Sequence, residues 1–141
     1  MNIFSFMIPK SLVVYIDDDS TVRQALEKMK YHRYVAVPVL DADGVYVGTV
    51  RNDDIFKYFH ENGRFDYSSA ERDKVTSIID ANYAKPLYHT ATLEQMIESV
   101  AEHNFVSVVD DRGCFIGMIL RRDVLNFLFE HFKATKKADF N

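Results

Sequence analysis

The sequence predicts a mixed α/β (α+β) domain made of two similar halves packed on each other, and three observations predict it. The chain repeats itself: Gly44, Gly48 and Asp54 recur as Gly113, Gly117 and Asp123 at an offset of 69, while Thr21, Gln24, Glu27 and His32 recur as Thr92, Gln95, Glu98 and His103 at an offset of 71. A period near 70 exceeds the roughly 20–50 residues of solenoid units, so two packed copies are expected rather than an array. Each copy also carries a helix pattern of period 3.6 followed by two β-rich runs around a glycine turn. Finally, 141 residues with 48% apolar and 27% charged side chains suit one globular core shared by both halves.

The elements follow in order. Phe4, Phe6, Met7 and Ile8 form a short leading segment into the first half, and Val13 to Ile16 reads as a strand broken by Asp17, Asp18, Asp19 and Ser20. Thr21-x-x-Gln24 has capping-box spacing, and Val22, Ala25, Leu26 and Met29 give the ensuing helix one apolar face. Val35 to Leu40, the turn Asp41 to Gly44 and Val45 to Val50 read as a hairpin, in which Pro38 predicts a strand edge or a bulge. The two-residue change of offset is placed between Tyr34 or Phe105 and the glycine turn. A closing helix starts near Asn52 with Ile55, Phe56, Tyr58 and Phe59.

Residues 61–74 are the polar connector between a first unit at 1–60 and a second at 75–133, with 134–141 as a polar, frayed tail. Val75, Ile78 and Ile79 read as a short helix entering the second half, as Phe4, Phe6, Met7 and Ile8 do for the first. There the helix at Thr92-x-x-Gln95 uses Leu93, Met96, Ile97 and Val100, and the hairpin runs Phe105 to Val109, Asp110 to Gly113, then Cys114 to Leu120. Ser107 stands where the first half has Pro38. The closing helix from Arg121 spreads Val124, Leu125, Phe127, Leu128, Phe129 and Phe132 over roughly 200° of its surface, more than one core stripe needs. The surplus face meets either a second subunit or the other half.

Charge and motifs exclude several functions. A net charge of −4 and a pI near 5.7 offer no concentrated basic face for nucleic acid. No apolar run approaches the ~20 residues of a membrane span and the start lacks a secretory plan, so a cytoplasmic protein without membrane attachment is expected. The single cysteine, Cys114, reads as a small buried residue. His32, His60, His89, His103 and His131 show no metal-ligand spacing, and neither G-x-S-x-G nor a P-loop occurs, so no metal site and no enzyme is expected.

The chemistry that remains lies at the closing helices. Gly48 to Asp54 and Gly117 to Asp123 each run from a glycine strand into a helix start, where free N–H groups and the dipole suit phosphate. A carboxylate there has two acceptor oxygens for the two hydroxyls of a ribose; Asp54 and Asp123 equally suit capping their helices.

These residues resemble the cystathionine-β-synthase (CBS) domain, found in tandem as a Bateman module. The leading segment, helix, hairpin with Val37-Pro38-Val39-Leu40-Asp41 and glycine-to-aspartate stretch all match, twice, over nearly the whole chain. The resemblance implies two β-α-β-β-α units related by a pseudo-two-fold, two clefts between them, and sensing of an adenine nucleotide (AMP, ADP, ATP or cyclic di-AMP) without a required cofactor. It places ribose on Asp54 and Asp123, and the base near Val14 and Tyr15, with Lys85 and Pro86 as their counterparts, and near Ala36, Val37 and Pro38. Where the family has a phosphate-binding hydroxyl, this chain has Arg51 in one copy and Leu120 in the other. Arg121 and Arg122 either compensate for Leu120 or are solvated charges, so one working and one altered site are expected. The implied assembly is a homodimer that signals through oligomer state or a target protein. The alternative of another class is a ligand-free dimeric interaction protein.

Overall fold

A computed structural model describes residues 2–63 and 68–139; positions 64–67 of the predicted connector and the end of the predicted tail, 140–141, lie outside the described residues. After a two-residue strand β1 (Ile8–Pro9), the first half comprises β2 (Ile16–Asp17), α1 (Val22–His32), β3 (Ala36–Leu40), β4 (Tyr46–Arg51) and α2 (Asn52–Glu61). The second comprises β5 (Leu87–Tyr88), α3 (Leu93–Glu102), β6 (Phe105–Val109), β7 (Phe115–Leu120) and α4 (Arg121–Asp139). Val13 to Tyr15, read as strand, run unpaired ahead of β2.

Both capping boxes form. Thr21 Oγ1 accepts from the Gln24 N–H and Gln24 Oε1 from the Thr21 N–H at 3.1 and 2.9 Å, and Thr92 and Gln95 repeat the exchange at 3.2 and 2.8 Å. The helices then end differently: α1 stops at Arg33 in the left-handed region (φ 60°), α3 at an extended His103. The strand pairs Ala36↔Arg51 and Phe105↔Leu120 already stand 69 apart. The two-residue change therefore lies at the helix–strand junction, ahead of the strands, and not between strand and turn.

Each hairpin turn is held by its first aspartate. Asp41 Oδ1 accepts from the N–H groups of Asp43 and Val45, and Asp110 Oδ1 from those of Arg112 and Cys114. The Cys114 N–H, with help from Arg112, holds the Asp110 carboxyl below the ordinary carboxylate range. Gly44 and Gly113 close the turns at φ 85° and 81°. The turns also meet: Tyr46 N–H donates to Gly113 O (3.0 Å) and Phe115 N–H to Gly44 O (2.9 Å), reciprocal bonds that mark the pseudo-two-fold axis.

The leading segments cross. β1 pairs with β7 of the second half (Ile8↔Met118, Pro9↔Gly117), and Ile3 and Phe6 are buried with Met96, Val100, Ile119 and Val124. Conversely, Val75, Ile78 and Ile79 pack on the first-half core of Ile16, Val22, Met29 and Val50. Each segment thus packs on the half it does not precede. The crossing explains two glycines: a Cβ on Gly117 would stand 2.3 Å from Ile8 O, and one on Gly48 would stand 2.6 Å from Ile79 Cγ2.

Pro38 lies in β3, between β2 and β4, but β2 reaches only Val39 and Leu40. The Asn52 N–H donates to Val35 O, so by antiparallel alternation Val37 and Val39 take the bonded positions towards β4 and the missing Pro38 donor faces away, beyond the end of β2. The bulge at Val39/Leu40 recurs at Val108/Val109, where Ser107 replaces the proline, so the proline is not its cause. Beyond Phe132, α4 continues to Asp139 through the segment read as a frayed tail, because Lys and Ala there are good helix formers.

Candidate functional site

Strand alternation sends Val37, Val39 and Val50 into one core and Val106, Val108 and Ile119 into the other. The opposite faces of the two hairpins meet at a seam, and the pseudo-two-fold makes two clefts there from equivalent residues.

The first cleft is open. Val14, Ala36, Pro38, Phe105, Met118 and Leu120 line an apolar cavity of about 230 Å³. Leu120 also borders a cavity of about 420 Å³ with Asn104, Arg121 and Arg122. Ligand sites typically occupy ~300–1,000 Å³, so the apolar cavity alone is sized for part of a ligand and the second supplies room next to Arg121 and Arg122. Asp123, one position beyond Arg122, keeps 38% of its side chain exposed, with only the Arg122 guanidinium 3.9 Å away. Arg121 is half committed, since its Nε donates to Val100 O at 2.6 Å.

The second cleft is closed in its depth, where Thr49 and Ser107 are buried. Asp54 is 6% exposed, and both its oxygens are engaged: Oδ2 accepts from the Arg51 N–H (2.8 Å) and Nε (3.3 Å), Oδ1 from Arg51 Nη2 (2.9 Å). The Asp54 hydrogen bond keeps the Arg51 guanidinium protonated even more firmly than usual. Of the two roles open to Asp54, the structure shows the cap. The Arg51 guanidinium lies 4.0 Å from the centre of the Tyr83 ring, whose other neighbour is His103 at 4.7 Å. Deeper in, the Tyr46 hydroxyl meets Thr49 Oγ1 at 2.7 Å and donates to Ala84 O at 3.1 Å. Burial, partly offset by the Thr49 bond, pushes the Tyr46 phenol up from its ordinary value. Ser107 is buried beside the Tyr46 hydroxyl. A cavity of about 530 Å³, lined by Arg33, Ala36, Arg51, Tyr83, Ala84 and Phe105, remains outside Thr49 and Ser107.

Two predicted lining residues lie elsewhere. Val37 is buried in the first-half core because its neighbours Ala36 and Pro38 occupy the cleft face of β3. Tyr15 lies between Lys10 and Lys28, whose ammonium groups stand 5.4 and 5.8 Å from its ring centre, and Lys28 bonds its carbonyl. Sequence reasoning missed Tyr83, Tyr46 and Met118. The signal for Tyr83 is its counterpart at the 71 offset, Leu12, an aliphatic residue of the open cleft. Among the described residues, no cluster of His, Cys, Asp or Glu is placed to hold a metal ion, and no helix is long and apolar enough to cross a membrane.

A search of curated protein sequences found no match. Solved structures do resemble the chain: CbpB in complex with cyclic di-AMP (TM-score 0.86, 20% identity, 98% of this chain and 91% of that one); a conserved protein of Geobacillus kaustophilus (0.83, 26%, 93% and 98%); and CBSX2 in complex with AMP (0.73, 22%, 92% and 96%). The CBS domain family model matches residues 6–61 and 84–130, which places one match on each half of the pseudo-two-fold and spans most of the chain. The twofold repeat, the crossed leading segments and this double match have one explanation: the chain belongs to the CBS-domain family, as a tandem pair.

Proposed function

We propose that this protein is a regulatory module, without catalytic activity of its own, that senses an adenine nucleotide in its open cleft. The observation that carries this reading is the apolar cavity at Val14, Ala36, Pro38 and Met118 bordered by Leu120, which also borders a cavity with Arg121 and Arg122; the partly exposed Asp123 follows Arg122 in the chain. The apolar part suits a base, Asp123 has acceptors free for ribose hydroxyls, and Arg122 carries the exposed positive charge a phosphate needs. AMP bound to CBSX2 and cyclic di-AMP bound to CbpB support the ligand class. Cyclic di-AMP is the second reading, favoured by guanidiniums at both mouths of the seam, Arg33 and Arg51 on one side and Arg121 and Arg122 on the other.

The test is thermal unfolding with AMP, ADP, ATP, cyclic di-AMP and GMP. Ligand at 100 times its Kd stabilises the native state by about 2.7 kcal/mol, a shift of several degrees at this size. A shift with adenine ligands alone supports the reading; none with any of them turns the reading to a ligand-free interaction protein. Competition between AMP and cyclic di-AMP ranks the two.

Output passes through a second copy or a target protein. Phe56 on α2 and its counterpart Leu125 on α4 are exposed, as are Phe129 and Phe132, so the pseudo-two-fold presents two related apolar faces suited to a homodimer. Sedimentation velocity of wild type and Phe129→Asp checks this: a dimer is expected for the first, a monomer for the second.

A further inference from the structure

We infer that Tyr83 is an internal occupant of the second cleft, so that the chain takes up one nucleotide, in the apolar cleft, and loses a second site to its own side chain. The inference rests on the nucleotide reading above for the class of ligand. Its geometry is independent of that reading. Under the pseudo-two-fold, Tyr83 and Arg51 correspond to Leu12 and Leu120. In the open cleft, Leu12 and Leu120 both border the 230 Å³ cavity. In the other, the Tyr83 ring lies 4.0 Å from the Arg51 guanidinium, with His103 packed against it; the pair borders the outer 530 Å³ cavity, while Thr49 and Ser107, the counterparts of Met118 and Pro38, are buried.

The backbone turns the ring inwards. Ala84 has φ 45°, a left-handed conformation that alanine adopts at a cost, whereas its counterpart Val13 has φ −104°. The Tyr46 hydroxyl holds that turn by donating to Ala84 O, and Phe115, the counterpart of Tyr46, has no hydroxyl with which to hold Val13. Beside the Tyr46 hydroxyl lie Thr49 Oγ1 and the buried Ser107, where the open cleft has Met118 and Pro38. A flat π-system stacked on a guanidinium over buried hydroxyls is the arrangement a base would take.

Equilibrium dialysis with AMP tests this on the full chain, counting sites per chain in wild type, Tyr83→Ala, Tyr83→Leu and Ala84→Val. The leucine and valine variants install the residues of the open half, and Ala84→Val disfavours the left-handed turn without touching the ring. Melting curves confirm that each variant is folded. The expected result is one site in wild type and two in the folded variants. Two sites in wild type, or one in wild type and in every folded variant, overturns the inference and leaves the nucleotide reading standing. No site in wild type but one after opening supports the plug and overturns the assignment of the open cleft. No site in any protein overturns both.

Discussion

The two clefts come from the same plan and end in opposite states. One has leucine, methionine and proline around an apolar cavity; the other has arginine, threonine and serine, and its depth is closed beneath a tyrosine. The difference teaches that in a repeated fold the more polar site is not the more available one. A buried polar group must be satisfied, and in the second cleft the chain itself satisfies most of them: Arg51 by Asp54 and Tyr83, Thr49 by Tyr46. Apolar walls make no such demand, so the first cleft stays open.

The contrast reaches the glycines that let the leading segments cross. Gly117→Ala sets a methyl against the Ile8 backbone and should cost about 3 kcal/mol, whereas Gly48→Ala meets only the Ile79 side chain, which can turn, and should cost about 1 kcal/mol. Urea unfolding of the two variants measures the gap; equal losses would show that the halves are equally tight.

The aspartates come next. Asp54→Ala removes a helix cap and strands a partly buried guanidinium, so a loss of about 2 kcal/mol is expected, with AMP affinity unchanged. Asp123→Ala should do the reverse: stability within about 0.5 kcal/mol of wild type and AMP affinity reduced at least about tenfold, or 1.4 kcal/mol. Calorimetric titration beside urea melts tells the two patterns apart, and weaker AMP binding in Asp54→Ala would reinstate the second cleft as a site.

The smallest effect belongs to Tyr46. Tyr46→Phe, which copies Phe115, should cost about 1 kcal/mol by losing the bonds to Thr49 and Ala84. Because burial raises the folded phenol above its unfolded value of about 10, its contribution is complete below that pH and is lost as pH rises through the folded value. Wild type should therefore lose more stability than Tyr46→Phe between about pH 9 and 11, as read by urea midpoints.

What depends on neighbours in sequence was legible. The capping boxes, both hairpins and the starts of both closing helices stand where the spacing of Thr, Gln, Gly and Asp puts them. Asp123, Arg122, Val14, Ala36 and Pro38 border or flank the open cleft. What depends on distant contacts was not. Nothing local says that Ile8 pairs with Met118 instead of its own half, nor that an alanine at position 84 turns left-handed to bring Tyr83 over Arg51. Strand phase misplaced Val37, since a continuous apolar run does not declare which residues face which side.

The crossed leading segments bear on how the protein is born. Ile3 and Phe6 leave the ribosome well before their partners on β7 and α4, which come more than a hundred residues later. The first half cannot finish as it emerges: its core waits for Val75, and its own leading strand waits for Met118. Synthesis at ~5–20 residues per second makes that a wait of several seconds. During it the apolar leading segment stands without its sheet, a target for chaperones and proteases until the second half has folded.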